Sequence, residues 1–204
     1  MILYTDATTP FGRKCLVAAL ERSIVLEERF VKLSDPKEFL LVNPLNQIPA
    51  LSVDQKKYFD SDVILQFLDS LHEGPPLIPE KNKYKHLTSI HLANAVIEST
   101  LLRVMEKRRV ETEQSSDFIA HLEARIGRGI AAMEETRLEK IGELLNGEEI
   151  TTAIALSYVD FRFTRDWRAK TSKLSNWHAT VEQRTSMICS QPNRTQPTHS
   201  PARN

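Results

Sequence analysis

Two short stretches of the chain place hydroxyl groups where a helix begins. Thr8 and Thr9 precede Pro10, and proline is common at a first helical position. Asp60 and Ser61 precede a second apolar pattern of helical period. The hydroxyl and the free backbone N–H groups at such positions can hold an anion. Each stretch is also consistent with a simple helix cap.

Other reactive residues form no pattern typical of a metal or disulfide site. The two cysteines, Cys15 and Cys189, are far apart, which excludes a disulfide framework and fits a reducing cytosol. We expect Cys15 to be buried by packing. None of the six histidines has another four residues away, so we expect no metal. The basic run Lys107-Arg108-Arg109 is interpreted as a solvated helix face.

Composition and charge narrow the class of protein. The chain has 204 residues, 41% hydrophobic and 26% charged, which is typical of one large globular domain or two small ones. Because Lys+Arg and Asp+Glu both number 27, attraction to nucleic acid or to an acidic membrane is not expected. Apolar runs such as 39–42 are too short to span a bilayer, and the N-terminus lacks a signal-peptide pattern. We therefore expect a cytoplasmic protein.

The elements that must position these residues begin with an α/β unit. The apolar patterns predict four strands, at Ile2–Tyr4, Leu26–Lys32, Ala50–Val53 and Tyr58–Phe59. One helix starts at Pro10, with Leu16, Val17, Ala19 and Leu20 on its apolar side. Another runs from about Asp62 to Leu71, with Val63, Ile64, Phe67, Leu68 and Leu71 facing inward. The crossover helix predicts a parallel first pair of strands, and the tight turn predicts an antiparallel last pair.

The second half is predicted to be a bundle of four to six helices. Three prolines within residues 74–79 interrupt any helix, so 74–83 is interpreted as a linker between domains 1–73 and 84–189. Beyond the linker the apolar period is close to 3.6, as in the stripe Phe118, Leu122, Ile126, Ile130 and Met133. Residues 190–204 are polar and rich in proline, and they are interpreted as a flexible tail.

Several motifs together resemble those of the glutathione S-transferase family, particularly its small bacterial cytosolic members. The run 9–14, Thr-Pro-Phe-Gly-Arg-Lys, is similar to the Ser-Pro-Phe motif that opens the family's first helix. The run 43–51 is similar to the loop that ends in a cis-proline, and Phe59-Asp60-Ser61 to the acid-serine motif. The runs 158–163 and 176–184 are similar to stretches in small bacterial transferases. The resemblance covers roughly residues 1–189.

The resemblance implies a thioredoxin-like glutathione-binding domain followed by an all-α domain, with glutathione as the co-substrate. Thr9 would stabilise the thiolate, although Thr8 could take this role while the other caps the helix. Pro49 would be the cis-proline, so that glutathione pairs with the backbone of Ile48 as an added strand. Gln47 would also reach the tripeptide. Ser61 would bind the γ-glutamyl carboxylate, and Asp60 would lie near its ammonium group.

The implied activity is that of a glutathione transferase whose thiolate attacks an electrophilic or peroxide co-substrate, as in detoxification. The second substrate would lie near Phe11, Leu101 and Met105, and the protein would form a homodimer. The alternative is a catalytically silent protein of the same fold that binds a protein partner, as stringent-starvation-type proteins do.

One region departs from the family's pattern. The family has a Ser/Thr-x-x-Asp capping box before a buried helix, but the stretch 150–157 lacks the aspartate and is about four residues shorter. Loss of such a cap costs about 1 kcal/mol. A deletion of one helical turn would also rotate the residues that follow, so the resemblance does not set the boundaries of this helix.

Overall fold

A computed structural model gives the fold of residues 1–135 and 145–192, which are the residues described below. The first part of the chain contains β1 Ile2–Thr5, α1 Pro10–Glu21, β2 Glu27–Phe30, β3 Ala50–Val53, β4 Lys56–Tyr58 and α2 Ser61–Asp69. Within the described residues, six α-helices follow: α3 Lys83–Lys107, α4 Ser116–Glu135, α5 Gly147–Arg162, α6 Trp167–Lys170, α7 Ser172–Val181 and α8 Thr185–Cys189. The predicted class, an α/β thioredoxin-like domain followed by a helical one, is confirmed.

The four strands form one mixed sheet in the order β2-β1-β3-β4. β1 pairs with β2 in parallel and with β3 antiparallel, and β3 pairs antiparallel with β4. The register of β3 with β4 leaves only Asp54 and Gln55 in the turn. Asp54 has a φ of 53°, a left-handed conformation that aspartate adopts more readily than most residues. The last strand therefore begins at Lys56, two residues earlier than predicted.

The core fills the space between the sheet and the helical part. Helix α1 is buried almost along its whole length, because it packs against α2 on one side and α5 on the other. On α2 the buried apolar positions are Ile64, Leu65 and Leu68. The prediction that Val63 and Leu71 face inward was wrong. Val63 is turned about 100° from Ile64 on the helix, and Leu71 lies beyond the last helical residue.

Helix α5 has a complete N-terminal cap, which corrects the expectation of a lost one. The side chain of Asn146 accepts a hydrogen bond from the Glu149 N–H at 2.9 Å, and the Glu149 carboxylate accepts from the Asn146 N–H at 2.8 Å. This reciprocal pair is a capping box. The helix therefore starts at Gly147, ahead of the threonines in which the family's motif would place the cap. All of residues 147–159 are buried.

The end of the described chain packs onto the domain. Ser190, the first residue of the predicted tail, is buried, and its Oγ accepts a hydrogen bond from Arg13 Nε at 3.2 Å. The rest of the predicted tail from residue 193 onward lies outside the described residues. No helix within the described parts of the chain is long and apolar enough to cross a membrane.

Candidate functional site

A cavity of about 780 Å³ lies between the sheet and the long helices α3 and α5. Its size is within the range of small-molecule sites. Every residue that the sequence analysis assigned to either substrate lines this cavity: Thr9, Phe11, Gln47, Ile48, Pro49, Asp60, Ser61, Leu101 and Met105. The fold therefore brings together four chain segments that are separated in sequence, 9–11, 47–49, 60–61 and 101–105.

The start of α1 places the Thr9 side chain at the cavity. Thr9 is the N-cap residue, yet its hydroxyl makes no capping hydrogen bond. The Asp6 carboxylate instead accepts from the N–H groups of Thr8 and Thr9, both at 2.6 Å, and from the Thr8 hydroxyl at 3.1 Å. The Thr8 hydroxyl is thus occupied, whereas that of Thr9 has no partner among the described residues. Sequence reasoning missed Asp6, although an aspartate two residues before a threonine can form such a turn.

Gly12 permits the close approach of α1 to β1 at this point. A Cβ atom on Gly12 would lie 1.9 Å from Thr5 Oγ1 and 2.7 Å from Thr9 Cγ2. Any other residue would therefore push the first turn of α1 away from the sheet. Gly12 therefore helps to fix the position of Thr9.

The segment before β3 presents unpaired backbone groups to the cavity. The Ile48–Pro49 peptide bond is cis. The N–H and C=O of Ile48 have no backbone partner among the described residues. The buried Asn43 side chain donates to the Gln47 carbonyl at 2.7 Å and accepts from the Leu45 N–H at 3.1 Å, which holds the loop. An extended peptide could pair with Ile48 as a further strand.

The start of α2 also lines the cavity, next to the segment that precedes β3. Asp60 is the N-cap, and its side chain accepts from the Asp62 N–H at 2.7 Å. Ser61 is the first helical residue and only 3% exposed. The positive end of the helix dipole favours an anion here. Asp60 thus acts as a cap and still lines the cavity.

A buried lysine lies beneath α2. Lys14 is completely buried, and its Nζ donates to Asp62 Oδ1 at 2.6 Å and to Asn94 Oδ1 at 3.1 Å. Asn94 in turn donates to Asp62 Oδ2 at 2.7 Å, which closes a triangle between α1, α2 and α3. The lysine neutralises the carboxylate next to Ser61. No sequence pattern predicts this contact, because lysine is rarely buried.

Cys15 is confirmed as a packing residue. It is fully buried, and burial raises the pKa of its thiol to about 12. Its Sγ donates weakly to the Ser61 carbonyl at 3.7 Å. A thiol in this state is not a nucleophile near neutral pH.

The part of the cavity predicted to hold the second substrate contains polar residues as well as apolar ones. Arg108, Tyr158 and Arg162 line it together with Leu101 and Met105. Arg108 is exposed, as expected of the basic run 107–109, but it also faces the cavity. Neither Tyr158 nor Arg162 was predicted from the sequence to belong to the site.

One acid–histidine cluster in the described chain has ligand atoms close enough to hold a metal ion. It consists of Asp160, His178 and Glu182. Arg168 already supplies the positive charge, since its guanidinium contacts Asp160 and lies 3.5 Å from Glu182. Burial lowers the pKa of His178, so its ring is neutral near pH 7. We interpret the cluster as a structural ion-pair network.

Comparison with known proteins gives consistent results. Residues 3–76 match the model of the glutathione S-transferase N-terminal domain. A glutathione transferase family member from Pseudomonas fluorescens Pf-5, solved with bound glutathione, is 28% identical, with a TM-score of 0.88 over 95% of this chain and 99% of that one. A glutathione S-transferase from Methylobacillus flagellatus, solved with GSH bound, is 30% identical, with a TM-score of 0.86 over 94% of this chain and 98% of that one.

A curated relative points the same way. The uncharacterized GST-like protein YibF of Escherichia coli is 25% identical over an alignment of 172 residues, which covers 79% of this chain and 83% of that protein. The matches to the solved relatives extend over nearly the whole chain, including both the sheet and the helical part. The chain belongs to the glutathione S-transferase family.

Proposed function

We propose that this protein is a glutathione transferase in which Thr9 stabilises the thiolate of bound glutathione. The tripeptide lies along Ile48 and Pro49, with its γ-glutamyl carboxylate at Ser61 and its ammonium group near Asp60. The second substrate enters between Phe11 and α3, beside Leu101 and Met105. The binding of glutathione by two solved relatives supports this assignment.

The observation that carries the proposal is the unoccupied hydroxyl of Thr9. Asp6 uses the Thr8 hydroxyl and both neighbouring N–H groups, so the only hydroxyl left for a ligand at this turn is that of Thr9. It stands at the N-terminus of α1, where the helix dipole also favours an anion. Thr9 is therefore the thiol contact of the proposal, and Thr8 has a structural role.

The chemistry requires only a modest stabilisation. A free thiol with a pKa of about 8.5 is only a few per cent ionised at neutral pH. A hydrogen bond to a charged group contributes about 1.5–3 kcal/mol, which lowers the pKa by about 1–2 units. The thiolate sulfur then attacks the electrophilic atom of the second substrate.

The held tripeptide would use groups that the fold leaves free. The unpaired N–H and C=O of Ile48 pair with the cysteinyl residue, and Gln47 lies next to them. Asp60 Oδ1 caps α2, so the cap and the contact with the ammonium group are compatible. Lys14 offsets the charge of Asp62, which lowers repulsion toward an incoming carboxylate at Ser61.

Two measurements test the proposal. Calorimetric titration of the purified protein should show glutathione binding at millimolar concentration or below. Turnover of a generic aryl halide should then be detectable and should fall in Thr9→Val, whereas the matched Thr8→Val variant keeps more of it. A protein that binds no glutathione at millimolar concentration contradicts the proposal. A stable protein complex without turnover would favour the partner-binding alternative.

The same preparation tests the proposed homodimer. Sedimentation equilibrium at micromolar protein should show a species of twice the chain mass. A purely monomeric protein would contradict the dimer while leaving the proposed chemistry unaffected.

A further inference from the structure

Two arginines, Arg108 and Arg162, line the cavity at a distance from the proposed γ-glutamyl site at Ser61. Asn94 of α3 contacts Asp62, the residue after Ser61, so this turn of α3 marks the γ-glutamyl end. Arg108 is the C-cap of the same helix. Fourteen residues separate it from Asn94, which is about 20 Å along a helix axis. Arg108 therefore lies at the end of the cavity away from the proposed glutamyl site.

Helix α5 contributes two more polar residues at this end. Tyr158 and Arg162 are one turn apart and project from the same side of the helix. The positive charge of the Arg162 guanidinium acts on the Tyr158 hydroxyl, and the guanidinium stacks on Phe161 with 4.0 Å between Cζ and the ring centre. Tyr158 is 5% exposed, and burial raises the pKa of its hydroxyl, so it remains a neutral donor.

Arg162 has an unused donor inside the protein. Its Nε is buried and has no hydrogen-bond partner among the described residues. Buried polar groups are nearly always paired, and an unpaired donor on a charged group indicates a missing acceptor. A guanidinium presents its donors as a planar fork that matches a carboxylate.

The two arginines of this end also lack carboxylate partners within the described structure. Neither Arg108 nor Arg162 forms an ion pair there, in contrast to five other arginines that do: Arg29, Arg103, Arg109, Arg168 and Arg184. Asp6 also faces Tyr158, but its Oδ1 accepts three hydrogen bonds from Thr8 and Thr9. Glu98 lines the cavity about 15 Å along α3 from Arg108.

We propose that Arg162, Tyr158 and Arg108 bind a carboxylate of the second substrate, which makes the preferred electrophile a carboxylic acid with an apolar body. This rests on the proposed glutathione transferase function. The apolar body packs against Phe11, Leu101 and Met105, and its reactive carbon faces the thiolate at Thr9. For an acid that carries a halide, the sulfur forms a bond to carbon, and the carbon–halogen bond breaks. The halide leaves with the electron pair of that bond.

The test compares two electrophiles of nearly the same shape, one charged and one neutral. 4-Chloro-3,5-dinitrobenzoate and its uncharged amide are turned over with glutathione, and each kcat/KM is divided by the uncatalysed rate constant. The wild type should prefer the acid by about tenfold or more, as expected for one charge-assisted contact. Arg162→Met should lower this preference about tenfold, chiefly through KM for the acid, and Arg162→Lys should restore part of it. Arg128→Gln, at an exposed arginine of α4, is the matched control.

The outcomes separate this proposal from the function on which it rests. An unchanged acid-to-amide preference in Arg162→Met, with glutathione bound and the amide turned over, overturns the carboxylate site alone. A tenfold rise in the KM for glutathione in Arg162→Met would assign the arginine to glutathione's own glycine carboxylate and would also overturn it. A wild type that binds no glutathione refutes both. Should Arg162→Met fail to fold, exposed Arg108→Gln provides the test, with an expected loss of about threefold.

Discussion

Glu21, the last residue of α1, is the point where a single substitution should most affect the attachment of the two halves of the chain. Its carboxylate accepts from Arg184 Nε at 2.9 Å and Nη2 at 2.6 Å, from Leu145 N–H at 3.1 Å, and from the Ser186 hydroxyl. Ser186 lies in α8 and Arg184 is the N-cap residue of that helix, while Leu145 precedes the N-cap residue of α5. The glutamate side chain is only 3% exposed.

The expected cost of Glu21→Gln follows from this geometry. Removing one member of a buried ion pair typically costs 3–5 kcal/mol. Because the Arg184 side chain is 24% exposed and can be hydrated in the variant, we expect the lower end, about 3 kcal/mol. For a chain of this size, each kcal/mol lowers Tm by about 2–4 °C, so Tm should fall by about 6–12 °C.

The loss should depend on pH in one direction. Burial alone would raise the pKa of Glu21, but the hydrogen bonds from Arg184, Ser186 and Leu145 outweigh it and hold the pKa below its ordinary value. A lowered folded-state pKa contributes stability that is complete above the ordinary value of about 4.3 and disappears as pH falls through the folded pKa. The difference in unfolding free energy between wild type and Glu21→Gln should therefore shrink below about pH 4.

Thermal and urea unfolding, followed by circular dichroism from about pH 3 to 7, measure this difference. Glu73→Gln, at an exposed glutamate with no ion pair among the described residues, is the control and should change Tm by less than about 2 °C. A Glu21→Gln variant that melts with the control, or a difference that does not change with acid, would refute the reasoning.

Three further experiments, two on variants and one on the native protein, have definite expected results. Asn146→Ala removes the capping box of α5 and should cost about 1 kcal/mol in urea unfolding, whereas no loss would mean that the cap is dispensable. In thiol titration of the native protein, exposed Cys189 should react and buried Cys15 should not until denaturant is added; reaction of both at once would contradict the burial of Cys15. Ser61→Ala should weaken glutathione binding about tenfold in calorimetry, as expected for a hydrogen bond to a charged group, and an unchanged Kd would remove Ser61 from the site.

Local patterns in the sequence predicted much of the fold. The parallel pairing of β1 with β2 and the antiparallel pairing of β3 with β4 follow from the crossover helix and the tight turn. The residue types at Thr9-Pro10 and Asp60-Ser61 mark both helix starts at the cavity. The α5 cap was also readable, because Asn146-x-x-Glu149 is a capping box in its own right. The family's Ser/Thr-x-x-Asp pattern instead places the cap at the threonines that follow.

The unpredicted features of the candidate site depend on contacts between distant segments. No local rule places Lys14 beneath Asp62, since that contact requires α1, α2 and α3 to meet. The role of Arg162 could not be predicted from the sequence either, because its Nε is buried only through the packing of α5 in the folded protein. The turn that Asp6 forms is local and could be predicted from the sequence. That Asp6 binds the Thr8 hydroxyl and leaves the Thr9 hydroxyl without a partner among the described residues is shown only by the structure.

The most direct test of the central claim is the thiol pKa of bound glutathione in the wild type and in Thr9→Val. The variant keeps the shape of threonine but removes the hydroxyl donor. Titration of the thiolate's ultraviolet absorbance should give a wild-type pKa about 1–2 units below the free value of about 8.5. In Thr9→Val the pKa should rise back toward the free value while glutathione remains bound. Equal thiol pKa values in the two proteins, with glutathione bound to both, would contradict the role assigned to Thr9.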